Sequence, residues 1–111
     1  MNKKLVVIIS TAELDKARTG MMYAVNALKQ GWMEDVKIVF FGPAQKLVNK
    51  DTVLQQHLKE YQDEEEKAVV CKYIADKENT AEQAKNLGMN VEYVGELISK
   101  LINNGFSPMV W

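Results

Sequence analysis

Strand-like apolar runs alternate with amphipathic helical stretches from one end of this chain to the other, and that alternation restricts the fold more than any other feature. The first run, Leu5-Val6-Val7-Ile8-Ile9, is short, β-branched and apolar without interruption. Such a run suits a strand buried on both faces, as in a parallel sheet. Leu14, Ala17, Met21, Ala24, Val25 and Leu28 follow at spacings of three and four, which predicts a helix with one apolar stripe. Ser10 and Thr11 stand where they can cap it, and Gly31 stands where it should end. Val36 to Phe41, closed by Gly42-Pro43, reads as the second buried strand.

The remaining chain repeats the pattern. Residues 44 to 50 connect, with room for a short helical turn. Asp51 can cap a helix carrying Leu54, Leu58 and Tyr61, and the run Asp63-Glu64-Glu65-Glu66-Lys67 reads as a solvated face. Ala68 to Tyr73 holds a third strand, and the polar segment 72 to 79 reads as a short helix. Thr80-Ala81-Glu82-Gln83 has the form of a capping box for a helix ending at Gly88. Val91 to Val94 is a short fourth strand. A helix over 96 to 104 turns Leu97, Ile98, Leu101 and Ile102 inward and stops at Gly105. In the fifth strand, Phe106 to Trp111, Pro108 lacks an N–H donor, so that strand should lie at a sheet edge or start late.

The expectation is therefore one α/β domain over residues 1–111, three layers deep, with a mainly parallel five-stranded sheet and helices on both faces. A length of 111 residues suits one domain and is short for two. The composition, 47% apolar and 26% charged, is that of a globular protein. A net charge of −1 gives no electrostatic case for nucleic acid, and no apolar run approaches the roughly 20 residues of a membrane span. A single cysteine cannot close an internal disulfide, which fits a reducing, cytoplasmic setting. GxGxxG, GxxxxGK[ST] and zinc-spaced Cys/His clusters are all missing, so neither cofactor nor metal is expected.

That cysteine, Cys71, is the candidate functional residue. In open parallel sheets ligands gather beyond the carboxyl ends of the strands. In a flavodoxin-like strand order the first and third strands are neighbours, which would set Ser10 and Thr11 beside Cys71 with Gly42 on the same rim. A helix starting just after Cys71, together with Lys72 or Lys77, would favour a thiolate. The competing reading is a small buried hydrophobe, since free cysteine is among the most buried residue types. His57 is read as a surface or interface histidine. Met21, Met22 and Tyr23, some of which must lie outside the stripe that meets the sheet, are read with Trp32 and Trp111 as candidates for a subunit interface.

KKLVVIIS, ARTGMMYAVNALKQG, IVFFGPA and above all AVVCKYIADKENTAEQAKNLGMNVEYVG together resemble the DsrE/DsrF-like family of small sulfur-relay proteins. The resemblance spans nearly the whole chain, and the family's active cysteine falls on Cys71. It implies a flavodoxin-like fold, a homotrimer or homohexamer, and a cysteine that carries sulfur as a persulfide between donor and acceptor proteins. On that reading the protein is a sulfurtransferase or a sulfur carrier without turnover of its own. The alternative is a non-catalytic oligomeric binding or assembly module with a packed, unreactive cysteine.

Overall fold

The computed structural model describes residues 3–64 and 67–111. Glu65 and Glu66, the middle of the acidic run, lie outside the described residues. The strands are β1 (Lys4–Ile9), β2 (Asp35–Phe40), β3 (Val69–Cys71), β4 (Asn90–Glu92) and β5 (Phe106–Val110). The helices are α1 (Leu14–Lys29), α2 (Ala44–Lys50), α3 (Thr52–Glu64), α4 (Lys72–Glu78), α5 (Ala81–Asn86) and α6 (Val94–Asn103). All four strand pairings are parallel, and the order is β4-β3-β2-β1-β5. The three-layer parallel α/β fold read from the sequence is the one observed.

The strand order corrects one expectation. β2 pairs with β1 over its full length and stands between β1 and β3. Right-handed crossovers limit which face a connection uses but leave open which neighbour a strand takes. The chain steps β1 to β2 to β3 to β4 in one direction, then returns across the sheet to β5. That return puts α6 on the face opposite α1 and α3.

Alternation along β1 explains its uninterrupted hydrophobicity. Leu5, Val7 and Ile9 face α1 and α3, with Val36, Ile38, Phe40 and Val70 beside them. Val6 and Ile8 face the other way, with Val39, Val69, Cys71, Val94 and Phe106, under Leu97, Ile98 and Leu101 of α6. Both faces are removed from water, so neither set of positions can be polar. Ile102, expected inside, is exposed.

β3 is only three residues long and pairs with β2 at Val39 and Phe40 alone. Further down β2 the hydroxyl of Tyr61 serves the strand's backbone, donating to the Val36 carbonyl (2.9 Å) and accepting from the Ile38 amide (3.3 Å). Pro108 lies on β5, an edge strand, as its missing donor requires.

The helix ends agree in part. Gly31, at φ 70°, follows α1, and Asp51 caps α3 by accepting from the Leu54 amide at 2.9 Å. Thr11 does not cap α1, whose first residue is Leu14; its hydroxyl accepts from the Glu13 amide two residues on (3.0 Å). The capping box at Thr80 does not form: Thr80 makes no side-chain cap, and Gln83 accepts instead from Asn49 of α2 at 3.3 Å.

Candidate functional site

Cys71 is the last residue of β3 and the N-cap of α4, so the strand turns directly into the helix with no loop between. Its position at the carboxyl edge of the sheet is the expected one. Its exposure is not. The residue is 5% exposed, and its side chain belongs to the apolar cluster beneath α6. Its thiol makes no capping hydrogen bond to α4. The period of a strand explains the burial: Val69 and Cys71 share one face, and the return of the chain to β5 covers that face with α6.

The other candidates share the rim without converging on the sulfur. Ser10 and Thr11 follow β1, two strands from β3, at a separation of about 10 Å given a strand spacing of about 4.8 Å. Their amides both donate to the Trp111 carbonyl, at 2.8 and 3.2 Å, so they bind the β5 side of the sheet. Gly42 does adjoin Ser10. A β-carbon there would stand 3.1 Å from the Ser10 Oγ, and its φ of 109° already disfavours a side chain. Lys72 turns to Asp76, 2.8 Å away, and over the Tyr93 ring. The hydrogen bond that the Lys72 ammonium donates to Asp76, and then the Asp76 charge, hold that ammonium above the ordinary lysine value. His57 sits on α3 beside Glu60, on the opposite face of the sheet from the sulfur.

The residue that sequence reasoning missed is Gln45. Its side chain is 2% exposed and spans two strand ends. Its Oε1 accepts from the Gly42 amide at 3.0 Å, and its Nε2 donates to the Cys71 carbonyl at 3.2 Å. One amide thereby ties the turn after β2 to the point where β3 becomes α4. A signal for it does exist. Gly42-Pro43-Ala44-Gln45 places a glutamine three residues after a helix-start glycine, the reciprocal half of a capping box.

Between α2 and α4 lies an open cleft of about 550 Å³. Pro43, Leu47, Tyr73 and Ile74 form its apolar part, and Lys46, Lys50, Lys77 and Glu78 its charged part. Ile74 lies on the boundary, lining the cleft and packing against the cluster that holds Cys71.

The DsrE/DsrF-like family profile matches residues 3–108. Among solved structures, a conserved protein of unknown function from Bacteroides thetaiotaomicron superposes with a TM-score of 0.88 at 26% identity, over 98% of this chain and 95% of its own. A search of curated proteins gives no match. With the profile covering nearly every residue and the fold shared end to end, the chain belongs to the DsrE/DsrF-like family.

Proposed function

We propose that the protein is a sulfur carrier of the reducing cytoplasm, holding sulfur as a persulfide on Cys71. The observation that carries the reading is the place of Cys71 in a DsrE/DsrF-like chain: the only cysteine, at the carboxyl end of β3, where the strand becomes α4. The Cys71 thiolate attacks the terminal sulfur of a donor persulfide. The donor's S–S bond breaks, the donor leaves as a thiolate, and a new S–S bond joins that sulfur to Cys71. An acceptor thiolate then attacks the same terminal sulfur and restores the Cys71 thiolate. Each step is an exchange without net oxidation.

Burial sets a condition on this chemistry. A donor reaches the sulfur when the cover of the apolar cluster opens, either α6 or the first turn of α4 with Ile74. The Gln45 bond to the Cys71 carbonyl works against the α4 motion. Homotrimeric or homohexameric assembly, which the family resemblance implies, is part of the proposal.

The same burial favours the second reading, a binding or assembly module in which Cys71 is packed and inert. Alkylation of the native protein with a small maleimide separates the two. A carrier labels at Cys71 under native conditions, through opening of that cover. Labelling only after global unfolding sustains the module instead.

A further inference from the structure

We propose that the cleft between α2 and α4 is a binding site for a small aromatic phosphate, of the size and chemistry of a nucleoside monophosphate. The inference does not rest on the chemistry of the thiol. Volume is the first argument: about 550 Å³ lies within the roughly 300–1,000 Å³ of small-molecule sites. The walls come from the turn after β2 and from α2 and α4, at the carboxyl edge of the sheet beyond β2 and β3.

Charge decides the class. Lys46 is paired with Glu78 across the cleft at 3.2 Å, which cancels both. Lys50 and Lys77 line the same cleft and have no ion-pair partner among the described residues. Two uncompensated ammonium groups match the charge of about −1.5 to −2 that a phosphate monoester carries at neutral pH. The ligand's body follows from Tyr73, a residue 65% exposed that lines the cleft with Ile74 and Leu47. A large aromatic left in water at a cleft wall offers a face for a planar ring. The site differs from a glycine-loop phosphate cradle because side chains, not a run of backbone amides, would hold the anion.

The test is an amide-resolved NMR titration of the whole protein with AMP, adenosine and inorganic phosphate in parallel, at low salt. The expected result is saturable shifts confined to residues 42–50 and 72–78. AMP should bind about tenfold or more tightly than either adenosine or phosphate, because only AMP engages both the lysines and the ring face. Lys50→Ala/Lys77→Ala should weaken AMP about tenfold and leave adenosine unchanged, with the variant's own spectrum confirming its fold. Overturning results are the absence of saturable shifts with AMP, shifts centred elsewhere, equal affinity for AMP and adenosine, or indifference of AMP to the loss of both lysines.

Discussion

Gln45 holds more of the site together than any charged residue does. A buried primary amide has to find partners for both ends, and this one finds them on two different strand ends. Gln45→Ala leaves the Gly42 amide and the Cys71 carbonyl without their partner. The expected loss is about 1–3 kcal/mol in denaturant unfolding, from the cost of unsatisfied buried polar groups. Its kinetic signature is more specific: native-state alkylation of Cys71 should accelerate, because α4 has lost its tether. Gln45→Glu separates the two bonds. It keeps the acceptor for Gly42 but sets an oxygen against the Cys71 carbonyl, so it too should speed alkylation. A Gln45→Ala variant with unchanged stability and unchanged alkylation would contradict this role. Other residues are fixed by neighbours rather than by chemistry. A β-carbon on Gly20 would stand 2.6 Å from the Trp111 ring and 2.9 Å from Ile9, so only glycine lets β5's end close on α1.

The joint between α1 and the start of α3 is the clearest electrostatic feature among the elements. Asp51 caps α3 and also receives the Arg18 guanidinium in a two-pronged contact, with Nε at 3.1 Å. The Arg18 hydrogen bond, and then the Leu54 amide, hold the Asp51 carboxyl below the usual aspartate value despite its desolvation. A folded-state value below the unfolded one, about 3.9, means that the stabilisation is complete above that value. It is lost as pH falls through the lower folded value. Asp51→Asn keeps the cap and loses the ion pair, so its stability should trail the parent's at neutral pH and converge with it in acid. Asp51→Ala loses the cap as well and should cost about 1 kcal/mol more. Urea midpoints measured from pH 7 down to pH 2.5 check the convergence; parallel curves would contradict it.

At the scale of the whole molecule, the exposed surface bears on assembly. Met22 and Trp32 stand out in water, and Trp32 approaches Tyr23, whose ring in turn approaches Trp111. Assembly through this aromatic group predicts a solution mass of three or six chains by light scattering. Met22→Lys should shift that mass toward the monomer, and a parent protein that is already monomeric would contradict it.

Much of this architecture was legible in the sequence because it follows from local periodicity. Leu5 to Ile9 has the pattern of a doubly buried strand and is one, and of the edge or late start that Pro108 left open the structure takes the edge. Asp51 and Gly31 punctuate helices as their chemistry dictates. What was not legible depends on tertiary choices. Periodicity does not say which neighbour β1 takes, so the pairing of β2 with β1 moved Ser10 and Thr11 away from Cys71. Nor does it say which face the returning chain covers, and α6 on the second face is what buries the sulfur. Thr11 and Thr80 carry capping side chains that the local backbone does not use for capping.

Persulfide formation on Cys71 is tested by intact-mass analysis of native protein after exposure to inorganic polysulfide, beside Cys71→Ser. The parent should gain one sulfur atom, removed by a small thiol, and the variant none. A parent that gains no sulfur while folded, yet gains one once unfolded, would contradict the sulfur-carrier reading.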